Sequence, residues 1–98
     1  MRDQVTPELR ALVLARDGGC VATRLDADHQ CMSLWGPVAR TDLWAMTLDH
    51  VKDEPRMGRR APSDAEHLVT LCYGAHIVTG WATSHRPELR DYLARVTA

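Results

Sequence analysis

The sequence predicts a small α+β domain in which two strands around a long polar loop lie between an N-terminal and a C-terminal helix. Helix signals stand near both ends of the 98-residue chain, and two apolar runs flank the polar stretch 52–66. A chain of this length has a marginal core, and such domains commonly add disulfides or a metal. Residues 1–98 are therefore expected to form one domain with a metal as a brace.

The first helix is expected to begin at Pro7. Thr6 is a favourable N-cap, Pro7 fits the first turn, and Glu8 suits the positive end of the helix dipole. The glycines at positions 18 and 19 end the helix. The apolar stripe of this helix would consist of Leu9, Leu12 and Val13.

The last helix is expected to follow a cap at Thr83 or Ser84. Its apolar face would consist of Leu89, Tyr92, Leu93 and Val96. Between the two helices, residues 43–51 form the best strand candidate and residues 68–72 a short second strand. Residues 23–42 have the composition of a loop, and residues 73–80 fit either a short helical turn or a loop.

Three cysteines cannot all pair in disulfides, and the chain shows neither a signal peptide nor an apolar run of membrane length. This favours a reduced, cytoplasmic protein without a membrane partner, whose thiolates are available for zinc. Cys20 follows directly on a glycine turn, which is how zinc knuckles begin.

The charge balance excludes a strongly basic, non-specific polycation, because the formal net charge is −1. Nearly all of the positive charge is arginine, and Lys52 is the only lysine. Arginine suits bidentate contacts to phosphate, which points weakly to nucleic acid. A GC-rich coding genome would give the same bias.

The dipeptide Asp49-His50 is the feature that points most directly to chemistry. It stands at the end of the first apolar strand, and Cys72 and His76 follow downstream. A carboxylate beside an imidazole in this position can hold a hard cation and activate a water molecule next to it.

Three ordered segments resemble the HNH endonuclease family, and in particular the small HNH proteins of phages that infect actinobacteria. These segments are Arg16-Asp17-Gly18-Gly19-Cys20, Leu48-Asp49-His50-Val51 and His67-Leu68-Val69-Thr70-Leu71-Cys72. The resemblance spans nearly the whole chain. It implies a ββα-metal (His-Me finger) domain, commonly braced by a separate structural zinc, with the two predicted terminal helices at its ends.

The resemblance also implies roles for individual residues. Asp49 would bind the catalytic cation, and His50 would be the general base that takes a proton from the attacking water. His67 stands where the family usually has asparagine, the residue that fixes the metal-binding loop and orients the base. The residues expected to hold DNA phosphates are Arg56, Arg59 and Arg60.

Two arrangements of the histidines remain open, because Ala75 stands where the family pattern has a second cysteine. In the favoured arrangement, His76 completes the structural zinc set and His85 joins Asp49 on the catalytic metal. In the alternative, His76 serves the catalytic metal, and the zinc takes His29 or is lost. The first is favoured because three thiolates without a fourth ligand make a poor zinc site. The thiolates of the structural zinc site are Cys20, Cys31 and Cys72.

The implied function is a metal-dependent DNA endonuclease that nicks or cuts double-stranded DNA by phosphodiester hydrolysis, in phage DNA processing or packaging. Its cofactors would be a structural Zn²⁺ and a catalytic Mg²⁺, Mn²⁺, Ni²⁺ or Zn²⁺. A phage terminase subunit is the expected protein partner, the host cytoplasm the expected location, and a monomer or weak dimer the expected state. The alternative is a catalytically degenerate, zinc-stabilised module that binds DNA or a packaging protein, which His67 and Ala75 favour.

Overall fold

A computed structural model of the chain describes residues 5–51 and 63–98. These residues form a mixed domain of helices and strands. In chain order the elements are helix α1 (Pro7–Asp17), helix α2 (Ala22–Leu25), strand β1 (Met32–Ser33), strand β2 (Gly36–Pro37), a 3₁₀ turn (Leu43–Ala45), strand β3 (Met46–His50), strand β4 (Leu68–Cys72), a π-helical turn (Gly74–Val78), helix α3 (Trp81–Ser84) and helix α4 (Arg86–Val96). No helix in this described part has both the length and the apolar character needed to cross a bilayer.

The centre of the domain is the antiparallel ladder of β3 and β4, in which Asp49 pairs with Val69 and His50 with Leu68. Every residue of β4 is buried, because neighbouring elements cover both of its faces. Only Met46 and Asp49 of β3 are buried, so β3 forms the more accessible edge. Asp49 and His50 therefore stand at the end of the less covered strand of the pair, with Asp49 buried and His50 half-buried.

Helix α1 begins and ends as predicted. The Leu9 amide donates to Thr6 Oγ1 over 3.1 Å, and the amide of Gly18, in the left-handed region at φ 70°, donates to Leu14 O. The predicted apolar stripe is wrong at Leu12, which is 58% exposed. Leu14, next to the buried Val13, packs against the core instead, so the core-facing side of α1 is rotated away from Leu12.

Three further predictions about the elements are wrong. Thr83 and Ser84 do not cap the last helix; they lie in α3, and α4 begins only at Arg86. Pro87 enforces this break, since it lacks an amide donor and is tolerated only in a first helical turn. The strand β3 begins three residues later than expected, after the 3₁₀ turn, and residues 23–42 contain most of α2 and the β1–β2 hairpin.

A buried carboxylate ties the helices to the central ladder. Asp17 is fully buried at the end of α1 and accepts hydrogen bonds from the Thr70 amide at 2.9 Å and the Tyr92 hydroxyl at 2.6 Å. Arg16 donates to the same carboxylate through Nε and Nη2, and Nη2 also donates to Leu68 O. One charge therefore connects α1, β4 and α4, and its hydrogen bonds compensate for its burial.

We expect Tyr92→Phe to lower the free energy of unfolding by about 1–3 kcal/mol, because Asp17 loses a buried donor. Burial, together with the hydrogen bond to Asp17, raises the pKa of Tyr92 to about 12 from its ordinary value of 10. A pKa raised on folding stabilises the native state fully below the unfolded pKa, and this contribution is lost as pH rises through the folded pKa. The difference between the native protein and Tyr92→Phe should therefore be constant from pH 7 to 9 and shrink between pH 10 and 12.

Urea unfolding of the two proteins across this pH range measures the difference. The matched control is Tyr73→Phe, the same change at the other tyrosine, which lies outside the Asp17 network. A difference between native and Tyr92→Phe that grows above pH 10 would contradict this assignment.

Candidate metal centre and carboxylate site

Three cysteines and one histidine converge on one point of the domain. The ligand atoms of Cys20, His29, Cys31 and Cys72 all lie within 4.8 Å of one another. All three cysteines are buried free thiols, and His29 Nε2 lies 3.2 Å from Cys72 Sγ. Three sulfurs and one imidazole nitrogen are the donor set of a tetrahedral structural zinc, so the cluster fits that ion.

Local backbone geometry places Cys20 in this cluster. A side chain at Gly19 would bring its Cβ to 2.2 Å from Arg40 O, so only glycine lets the two backbones approach. The Cys20 amide then donates to Arg40 O over 2.9 Å. The next amide, that of Val21, donates to Thr70 O, which fixes Cys20 beside β4.

The other ligands come from three separate segments. Cys72 ends β4, and its amide donates to Cys20 Sγ at 3.3 Å. Cys31 stands just before β1, where its carbonyl accepts from the amide of Val38 and closes the base of the β1–β2 hairpin. His29 follows a turn in which its amide donates to Asp26 O.

The thiols differ in protonation, which bears on metal binding. The hydrogen bond from the Cys20 thiol lowers the pKa of Cys72 to about 4, with further help from the backbone amide of Ala75. The same hydrogen bond, followed by burial, raises the pKa of Cys20, and burial raises that of Cys31 to about 11. The hydrogen bond thus favours the thiolate form of Cys72 over that of the other two thiols, and binding of Zn²⁺ would displace the protons that the thiols retain.

The fourth member of the cluster is His29, the alternative ligand, rather than His76 as the favoured arrangement expected. His76 lies on the π-helical turn, which begins two residues after β4 and carries the side chain back over β3. There His76 Nδ1 is 2.8 Å from Thr47 Oγ1, and Nε2 is 3.2 Å from Asp49 Oδ1. The structure thus brings Asp49 together with His76.

The hydrogen bonds around His76 leave one ring nitrogen for the carboxylate. Thr47 Oγ1 donates to Leu71 O at 2.8 Å and lies 2.8 Å from His76 Nδ1, so this oxygen can accept a hydrogen bond from Nδ1. Nε2 faces Asp49 Oδ1, where either a proton or a bound cation would bridge the two atoms. Two ligands that bind one octahedral cation at about 2.1 Å lie about 3.0 Å apart, so this pair fits a hard divalent cation.

Arginine occupies the other side of the same carboxylate. Arg86 Nη1 donates to Asp49 Oδ2 at 2.9 Å and to His50 O at 3.1 Å. The Asp49 side chain is only 8% exposed, whereas that of Arg86 is 34% exposed. The buried carboxylate is therefore neutralised by a guanidinium that still reaches solvent.

The remaining predicted site residues lie in other surroundings. The His50 imidazole is 2.9 Å from Ser63 Oγ, and His67 Nδ1 is 2.7 Å from Asp64 Oδ1. His85 Nδ1 lies 2.8 Å from Trp81 O, and its ring stacks on the Trp81 indole at 4.1 Å. His85 is thus held at the junction of α3 and α4. The predicted phosphate-binding residues Arg56, Arg59 and Arg60 lie outside the described residues.

Sequence reasoning missed two members of the carboxylate site. Thr47 stands two positions before Asp49, and alternate residues of a strand share a face, so the sequence does indicate that the two side chains lie on the same face of β3. Arg86 precedes Pro87, which places it in the first turn of α4, but nothing in the sequence indicates that this turn lies over β3.

No family model, no curated protein and no solved structure matches this chain. The likeness to HNH endonucleases therefore rests on the motif residues themselves.

We expect His29→Ala to weaken zinc binding by more than about a hundredfold, since the loss of even an outer hydrogen bond at a metal site costs about 10–100-fold. The matched variant His76→Ala, also an exchange of imidazole for methyl, should leave zinc affinity within about threefold of native, because His76 lies against Thr47 and Asp49. Competition with a chromophoric chelator measures both affinities. Zinc loss in His76→Ala with retention in His29→Ala would reverse the two ligand assignments.

Proposed function

We propose that this protein is a metal-dependent DNA endonuclease of the HNH type, which hydrolyses phosphodiester bonds and nicks or cuts double-stranded DNA. The observation that supports it most is the 3.2 Å approach of His76 Nε2 to Asp49 Oδ1. A carboxylate oxygen and an imidazole lone pair at this separation are suited to share a divalent cation. His50 follows Asp49 directly, so a candidate base stands one residue from the candidate ligand.

The order of the elements supports the proposal as well. The chain passes from β3 to β4 and then into the π-helical turn, so the two candidate ligands lie on the first strand and on the helical segment after the second. This is the strand–strand–helix order of a ββα-metal domain. The cluster of three cysteines and His29 lies toward the other end of the same ladder, where Cys72 pairs with Met46.

In this proposal Asp49 and His76 hold the catalytic Mg²⁺, Mn²⁺, Ni²⁺ or Zn²⁺. The bound cation would orient the scissile phosphate and neutralise charge on the leaving oxygen. His50 takes the proton of the attacking water, and the Ser63 hydroxyl at 2.9 Å fixes the orientation of its ring. His67 acts on the hairpin through its backbone, because His67 O accepts from the Val51 amide at 2.7 Å, next to His50.

The biological setting belongs to the same proposal. It consists of phage DNA processing or packaging in the host cytoplasm, with a terminase subunit as the protein partner. The arginines at 56, 59 and 60 would supply affinity for the DNA backbone without choosing a sequence.

We expect His50→Ala to lower the rate of nicking of supercoiled plasmid by about 10²–10⁴-fold in Mg²⁺, Mn²⁺ or Ni²⁺, the usual contribution of a general base. The comparison is made at equal zinc content, so that loss of the fold is not mistaken for loss of the base. Cleavage by His50→Ala at the native rate would remove His50 from the mechanism.

A second pair of variants assigns the catalytic ligand. His76→Ala should abolish metal-dependent nicking and retain zinc, whereas His85→Ala should keep most of the activity, because the His85 ring packs on Trp81. Loss of activity in His85→Ala but not in His76→Ala, with zinc retained in both, would show that His85 and not His76 binds the catalytic metal.

The second candidate function is a zinc-stabilised module that binds DNA or a packaging protein without cutting. The contact of Arg86 with Asp49 favours it, since a guanidinium already neutralises the candidate metal ligand. Duplex binding in an anisotropy titration, with affinity that falls steeply with salt and no nicking by the zinc-loaded native protein in any of the three metals, would select this candidate.

A further inference from the structure

Arg86 is held in place by two acceptors of the β3 end. A single nitrogen, Nη1, donates to Asp49 Oδ2 at 2.9 Å and to His50 O at 3.1 Å. Arg86 is also the first residue of α4, and Pro87 fixes the backbone of that turn. The guanidinium is therefore attached to β3 by an ion pair and a carbonyl, and to α4 by its own backbone.

The two oxygens of Asp49 face different partners. Oδ1 faces His76 Nε2 at 3.2 Å, and Oδ2 faces the guanidinium. A cation bound between Oδ1 and His76 would thus share one carboxylate with a permanent positive charge. Like charges a few ångströms apart repel, and solvent screens this repulsion only in part, because the Asp49 side chain between them is 8% exposed and that of Arg86 is 34% exposed.

We propose that Arg86 competes with a divalent cation for the carboxylate of Asp49, and that its charge lowers the affinity of the Asp49–His76 site for divalent metals. This inference rests on the metal site of the proposed function. Arg86 acts here as a positioning and tuning residue, because it contacts the candidate ligand and the backbone of the candidate base. Its charge weakens binding of the cation and leaves the ligand geometry in place.

The test is Mn²⁺ affinity of the zinc-loaded protein, measured from free Mn²⁺ by electron paramagnetic resonance in the absence of DNA. Mn²⁺ prefers oxygen and nitrogen donors, so it does not compete well for the thiolate cluster. We expect Arg86→Gln and Arg86→Met to bind Mn²⁺ about 10–100-fold more tightly than native, and Arg86→Lys, which keeps the charge, to stay within about threefold.

The matched control is Arg95→Gln, which removes the same charge from the same helix. Arg95 is exposed and lies nine residues further on, about 13.5 Å along the axis, beyond the screening length of about 10 Å at 0.1 M salt. Its Mn²⁺ affinity should equal that of the native protein. Zinc content and thermal unfolding identify any variant that has lost its fold, and the two neutral replacements at Arg86 provide independent readings.

Asp49→Asn separates the two ways in which the inference can fail. If Asp49→Asn abolishes Mn²⁺ binding but folded Arg86→Gln and Arg86→Met bind no more tightly than native, the competitor role is overturned and the metal site stands. If Asp49→Asn binds Mn²⁺ as well as native, the metal site of the proposed function is overturned, and the inference with it.

Discussion

The buried carboxylate of Asp17 is the constraint on which the rest of the described structure depends. It lies at the last residue of α1, immediately before the two glycines that lead to Cys20. Its partners are the amide of Thr70 in β4 and the hydroxyl of Tyr92 in α4. A buried charge is costly unless several donors satisfy it, so these three elements must come together at one place and in one orientation.

That arrangement determines where both candidate sites can form. With α1 fixed against β4, the glycine turn delivers Cys20 to the end of the strand at which Cys72 stands. With α4 fixed against the same strand, its first turn reaches the end of β3, where Arg86 meets Asp49. The thiol cluster and the carboxylate site are therefore both consequences of how the helices are attached to β4.

The sequence predicted those parts of the fold that local chemistry decides. Helix α1 has a cap, a first-turn proline and a terminal glycine, and β4 is an apolar run with Thr70 as its one polar residue, so both were predicted with their observed bounds. The strands β1 and β2 have two residues each, which is too short for any period to be recognised. The order of α3 and α4 was missed because Thr83 and Ser84 have the chemistry of caps, and Pro87 overrides them.

For the candidate site, the sequence likewise identified the residue types but not their full arrangement. The three cysteines and the pair Asp49-His50 are recognisable as residue types in a pattern, and the cysteines do meet at one point. The choice between His29 and His76 as fourth member could not be made from spacing, because both stand within reach in the chain. It is decided by the π-helical turn, which directs His76 to Thr47 and Asp49. No local signal distinguishes such a turn from an ordinary helical one.

The two candidate sites differ in donor chemistry but share that turn. Cys72 and His76 are four residues apart, and the amide of Ala75 between them donates to Cys72 Sγ at 3.4 Å. The thiolate that would bind Zn²⁺ thus also holds the start of the segment that carries His76 to Asp49. Sulfur ligands retain a soft ion tightly, while a carboxylate with an imidazole exchanges hard cations more readily. A stable ion on the thiolates would therefore keep the turn in place while cations exchange at Asp49, and this separation would let Arg86 change the cation affinity of the second site without disturbing the first.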